Sequence, residues 1–98
     1  MISVLILGFL TGVLLSNGLP HFIRGLTGQK YPTPFSKPGS AVENIAWGWL
    51  NFVAAALLWH LAPMRHHPRA AFLAVAFGIL FAALALADRQ AKHAGKTK

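Results

Sequence analysis

The 98-residue sequence contains no cysteine and only two acidic residues, Glu43 and Asp88. Without cysteine, the chain has no disulfide, no thiolate metal ligand and no cysteine nucleophile. It also lacks the acidic side chain within an apolar segment that would serve as a proton-coupling site in a membrane exporter. A nucleotide-binding glycine loop and the HExxH and GxSxG motifs are missing as well. We therefore predict no catalytic residues, no metal and no cofactor.

Charged residues are missing from three long apolar stretches of 18 residues each, Ile2–Leu19, Ile45–Ala62 and Ala70–Ala87. This length corresponds to about 27 Å of helix, close to the ~30 Å hydrocarbon core of a bilayer. A soluble protein of this size has too little polar chain to cover three such segments. We predict an all-α membrane protein with a single transmembrane domain over residues 1–98, with helices over about 2–19, 41–62 and 69–88 and a basic tail over 89–98.

Positive charge is distributed unequally between the connections. The connection between helices 2 and 3 contains only Arg65 and Arg69, whereas the other connection and the tail contain seven basic residues. Because short, positively charged connections are retained in the cytoplasm, this asymmetry predicts an N-terminus outside and a C-terminus inside the inner (plasma) membrane. The seven residues are Arg24, Lys30, Lys37, Arg89, Lys92, Lys96 and Lys98.

The net charge of +7 raises the question of a polyanionic partner. Nucleic-acid-binding domains carry basic residues over a folded polar face. Here the basic residues flank apolar spans, where Lys and Arg interact with anionic headgroups. We predict membrane lipids as partners and no nucleic acid.

The connection between helices 1 and 2 is rich in proline, which favours extended backbone over helix. Its aromatic residues, Tyr31 and Phe35, would lie at the depth of the lipid headgroups. We predict an interfacial loop here, with a re-entrant helix over residues 20–35 as the structural alternative. The prolines are Pro32, Pro34 and Pro38.

Local signals also predict the helix ends. Pro20 lacks an amide hydrogen, so it is expected to kink or end helix 1. Ser40 and Glu43 match a capping box, which predicts the start of helix 2. Asp88 beside Arg89 predicts an interfacial ion pair at the end of helix 3.

Small residues recur at four-residue spacing on helices 1 and 3. Helices in a bilayer associate by close packing and hydrogen bonds, so small residues mark their contact faces. The two stripes predict tight helix packing, either within the chain or between copies of it. Their residues are Gly8, Gly12 and Ser16 on helix 1 and Ala74, Gly78 and Ala82 on helix 3.

Polar residues from the helices are expected to meet at one membrane surface, because their sequence positions correspond to similar depths. Polar residues within spans are costly and often functional. Structural roles also fit: a helix cap for Glu43, headgroup contact for Arg24 and an interhelical hydrogen bond for Asn51. His21 fits either a structural hydrogen bond or a role as base or ligand. The candidate binding cluster is His21, Arg24, Glu43, Asn44 and Asn51.

Residues 18–29, GLPHFIRGLTGQ, followed by Thr33-Pro34-Phe35, resemble a block found in small uncharacterised bacterial membrane proteins. The resemblance implies a bacterial inner-membrane protein with three or four helices. It brings no catalytic residues with it.

Three classes of function fit the sequence. The favoured one is a non-enzymatic membrane protein that acts as a structural or accessory subunit, either as a homo-oligomer or within a larger membrane complex. The second is transport of a small solute through an oligomer. The third is a lipid-headgroup-binding protein or a membrane enzyme that uses His21, with Arg24 or Lys30 holding a phosphate.

Overall fold

The computed structural model describes residues 1–36 and 38–96, which form three α-helices joined by two connections. The helices are α1 (Ile2–Leu26), α2 (Ala41–Leu61) and α3 (Pro68–Lys96), and a short 3₁₀ turn, Met64–His66, precedes α3. All three α-helices are long and apolar enough to cross a membrane. The all-helical fold with three helices of membrane-spanning length is therefore confirmed.

α1 is longer than the sequence predicts, because it continues through Pro20 and ends at Leu26. Gly18 and Gly25 lie in close contact with α2 on either side of Pro20. This packing offsets the hydrogen bond that proline removes. With 25 residues, α1 is about 37 Å long, which exceeds the ~30 Å thickness of a hydrocarbon core.

α3 also continues past its predicted end at Asp88 and includes residues as far as Lys96. Most of the predicted basic tail is therefore helical. Thr97 and Lys98 of the tail, and Lys37 of the proline-rich connection, lie outside the described residues.

The small-residue stripes lie in the contact between α1 and α3. A Cβ atom added to Gly12 would overlap with the carbonyl oxygen of Val75, and one added to Gly78 would overlap with that of Phe9. A Cβ atom on Gly8 would lie 2.9 Å from the Cβ of Ala74. Ala82 is buried and Ser16 is half-buried. The stripes thus form an intrachain contact.

α1 packs against both other helices, whereas α2 and α3 make almost no direct contact with each other. On the α2 side, the close approach involves Gly48, which lies against the carbonyl oxygen of Gly18. The space left between α2 and α3 is an open groove of about 870 Å³. We call it the helix groove.

The connection between α1 and α2 folds back on itself without forming a helix over its described residues. Tyr31 and Gly39 exchange two backbone hydrogen bonds of 3.1 Å each. Thr33 Oγ1 accepts hydrogen bonds from the amides of Phe35 and Ser36, both at 3.2 Å. The re-entrant helix considered above is therefore not formed, and the loop holds Tyr31 against the end of α1.

Candidate functional site

Asn44 connects the folded loop to the start of α2. Its side chain is 0% exposed. Nδ2 lies 2.8 Å from the carbonyl oxygen of Tyr31, 2.9 Å from that of Ser40 and 3.2 Å from that of Gly39. These hydrogen bonds satisfy a buried amide and fix the loop over the first turn of α2.

The same amide determines which nitrogen of His21 carries the hydrogen. The buried His21 ring places Nδ1 2.7 Å from Asn44 Oδ1. Because Asn44 Nδ2 faces three carbonyl oxygens, the remaining amide atom is the oxygen and must act as acceptor. His21 Nδ1 therefore donates, and in the neutral form of an imidazole the other nitrogen, here Nε2, is an acceptor.

Tyr31 joins the loop to both α1 and α3. Its ring meets the His21 ring edge-on, with 4.9 Å between centroids. The Arg24 guanidinium lies over the Tyr31 ring at 4.3 Å from the centroid, in cation–π geometry. Tyr31 Oη accepts a hydrogen bond of 2.6 Å from Gln90 Nε2 of α3. Three segments of the chain are thus held around one side chain.

These side chains surround a recess of about 370 Å³, which we call the loop recess. Three basic residues line it, one each from α1, the loop and α3. The polar lining is otherwise neutral, and two apolar residues complete the wall. The lining residues are Asn17, His21, Arg24, Lys30, Tyr31, Pro32, Leu86, Arg89 and Gln90.

Both acidic residues of the sequence have partners outside the loop recess. Glu43 Oε2 accepts a hydrogen bond of 2.5 Å from Ser36 Oγ. Asp88 pairs with Lys92 one turn further along α3, at 3.1 Å, so the predicted pair with Arg89 is replaced by an i,i+4 pair. Within the described residues, the lining of the recess therefore has three basic side chains and no carboxylate.

The structure separates the predicted binding cluster into three groups. His21 and Arg24 line the recess, and Asn44 supports it through His21. Glu43 lies at the start of α2, where its amide donates to Ser40 Oγ at 3.1 Å. A complete capping box would also pair its carboxylate with the Ser40 amide, but the carboxylate accepts from Ser36 Oγ instead. The fifth residue, Asn51, lies outside the recess lining.

Asn51 makes the interhelical hydrogen bond expected from its depth. Its Oδ1 accepts from Asn17 Nδ2 at 3.1 Å, and its Nδ2 donates to the Trp47 carbonyl at 2.8 Å. Every buried side-chain nitrogen and oxygen among the described residues has a hydrogen-bond partner. Asn51 is therefore part of the packing between α1 and α2.

Six of the nine lining residues were not selected from the sequence, and the polar ones among them are Asn17, Tyr31, Arg89 and Gln90. A signal for two of them existed, because Arg89 and Gln90 follow the apolar part of α3 at the depth expected for His21. The position of Tyr31 had no such signal, since it depends on how the loop folds.

In the described parts of the chain, no three His, Cys, Asp or Glu residues lie close enough together to hold a metal ion. Comparison of the chain with protein-family models, curated proteins and solved structures gives no match. The chemistry of the loop recess is therefore the basis for its interpretation.

Proposed function

We propose that this protein is an integral membrane protein without enzymatic activity that binds the phosphate of an anionic lipid headgroup in the loop recess. The supporting observation is the convergence of Arg24, Lys30 and Arg89 from three segments on one recess whose lining includes neither carboxylate, since both carboxylates have other partners. Guanidinium groups bind phosphate oxygens through paired donors, and an ammonium group adds a compact positive charge.

The position of the recess favours a lipid over a soluble phosphate compound. It lies toward the end of α1, which is longer than the hydrocarbon core is thick. Leu86 and Pro32 give part of its wall an apolar surface, against which the start of an acyl chain can pack. The acceptor Nε2 of His21 is suited to a headgroup hydroxyl. The recess thus offers contacts for both the headgroup and the start of an acyl chain.

The proposal includes the orientation and location of the chain. With the N-terminus outside and the C-terminus inside, the recess faces the cytoplasmic leaflet, which is rich in anionic lipids. The resemblance over residues 18–35 supports a bacterial inner membrane. We propose that the lipid-bound protein acts as an accessory subunit or as part of an oligomer.

Removal of the recess charges is expected to weaken selectivity for anionic lipid. In phosphatidylcholine vesicles, the wild-type protein should prefer spin-labelled phosphatidylglycerol to phosphatidylcholine, as measured by electron paramagnetic resonance. Lys30→Gln and Arg89→Gln should each lower this preference by about fivefold, because one basic residue near an anionic surface contributes about 1 kcal/mol.

Lys92→Gln is the matched control, because it removes the same charge from the same end of α3 while Lys92 pairs with Asp88 outside the recess. An equal loss in this variant would assign the preference to general surface charge. Addition of glycerol phosphate to the solution should leave the signal unchanged. Displacement of the lipid by this compound would instead identify a soluble phosphate ligand.

The orientation has its own test. A reporter that is active only in the cytoplasm, fused after Lys98, should be active in cells, because the side with seven basic residues is retained there. A periplasm-specific reporter at the same position should be inactive. The reverse pattern would place the loop recess on the other side of the membrane.

A further inference from the structure

The helix groove lies in the other half of the molecule from the loop recess, and its lining is almost entirely apolar. Thr11 on its floor has its hydroxyl bonded to the carbonyl oxygen of Leu7 at 2.7 Å, so it offers no free donor. Large side chains from α2 and α3 form the walls. The main wall and floor residues are Phe52, Trp59, Phe72, Ile79 and Leu15.

One charged residue, Arg65, lines the end of this groove. The same side chain also lines an adjoining, more polar recess of about 530 Å³ together with His60 and His66. Both acidic residues lie at the opposite end of the molecule, Glu43 in the first turn of α2 and Asp88 toward the end of α3. The charge at this end of the groove therefore complements an anion.

We propose that the helix groove holds an acyl chain of a phospholipid and that Arg65 binds the phosphate of the same lipid. The occupant has an apolar part that matches the groove and an anionic part that matches its charged end. The volume of about 870 Å³ is within the ~300–1,000 Å³ range of sites that enclose small ligands. This lipid would belong to the leaflet opposite the one that faces the loop recess.

A transmembrane helix from a second copy fits the groove less well. Helices in a bilayer pack through small residues that allow close backbone approach. The glycines that permit such approach, Gly12 with Gly78 and Gly18 with Gly48, are already used between α1 and its two neighbours. The groove lining mixes bulky side chains with Ala55, Ala56 and Ala76, and a flexible acyl chain can adapt to such an uneven surface.

The groove and the loop recess share no lining residue. The two lipid sites can therefore be tested separately, and the failure of one would leave the other unaffected. Trp59 lies in the wall of the groove and provides a fluorescent probe for its occupant. The other tryptophans, Trp47 and Trp49, are replaced by phenylalanine for this experiment.

In this single-tryptophan protein, brominated phosphatidylglycerol added at low mole fraction to phosphatidylcholine vesicles should quench Trp59. Brominated phosphatidylcholine should require about fivefold higher mole fraction for equal quenching, which corresponds to one basic residue at the headgroup. Arg65→Gln should remove this difference, whereas Arg69→Gln, which alters an exposed residue outside the groove lining, should preserve it. Equal quenching by the two lipids would overturn the proposal.

A second pair of variants tests the groove itself. Ala76→Phe fills the groove and should reduce the quenching by anionic lipid to the level of phosphatidylcholine. Ala83→Phe, at an exposed position of the same helix outside the lining, should have no such effect. Unchanged quenching in the Ala76 variant would overturn the proposal. Loss of wild-type quenching as the protein-to-lipid ratio rises would identify a second copy as the occupant, which would also overturn it.

Discussion

Alanine in place of Gly12 or Gly78 is expected to lower the free energy of unfolding by about 3 kcal/mol, the upper part of the usual range for overpacking. At both positions the added methyl group would overlap with a backbone carbonyl of the facing helix. The backbone can relieve this overlap only if α1 and α3 separate. Since alanine is otherwise the better helix former by about 1 kcal/mol, a loss of stability would report the interhelical contact.

Unfolding in mixed micelles, followed by circular dichroism, measures this effect. Gly8→Ala should cost less, because its methyl group would meet the side chain of Ala74 at 2.9 Å. Ala83→Leu, on the exposed face of α3, should change the stability little. If Gly12→Ala altered the oligomer distribution and left unfolding unchanged, the glycine face would be a contact between copies instead.

Leucine in place of Asn44 is expected to destabilise the protein by a similar amount, about 3 kcal/mol. His21 Nδ1 would lose its acceptor, and the hydrogen bonds from Nδ2 to the loop carbonyls would also be lost. Those carbonyls would each keep one backbone donor, so the cost is that of one unpaired buried donor and the lost loop contacts. Hydrogen exchange of the Tyr31 and Gly39 amides should become faster.

Asn17→Ala is the comparison for this variant. It removes the side-chain hydrogen bond to Asn51, and such a bond within a membrane protein contributes about 0.6 kcal/mol. The exchange rates of the loop amides should not change. If Asn44→Leu were as mild as Asn17→Ala, the loop would be held by its own backbone pairing and not by Asn44.

The fold was predictable where the sequence signal is a property of a whole segment. Absence of charge over the three apolar stretches identified the three spans without any knowledge of their contacts. The end of α1 was not predictable, because Pro20 is a local signal and the helix is maintained by contacts of Gly18 and Gly25 with α2. The sequence also left open whether the small-residue stripes pack within the chain or between copies of it, because it does not show which helix faces each stripe.

The candidate site was predictable in part for a related reason. The sequence positions of His21, Arg24 and Asn44 correspond to similar depths in the membrane, and this predicted that the three residues lie at one surface. Depth alone could not show that the loop closes through Tyr31 and Gly39, and this closure places Tyr31 against His21. The environment of Arg89 was not predictable from the sequence, because the Asp88 side chain can reach more than one basic residue. It pairs with Lys92, four positions ahead, and not with Arg89.

The lipid retained by the purified protein tests the central claim most directly. After extraction in a mild detergent and extensive washing, the wild-type protein should retain anionic phospholipid, identified by mass spectrometry of the extract. The Lys30→Gln/Arg89→Gln double variant should lose the lipid bound at the loop recess, whereas Lys92→Gln should retain it. Equal anionic lipid content in all three proteins would contradict a phosphate-binding role for the loop recess.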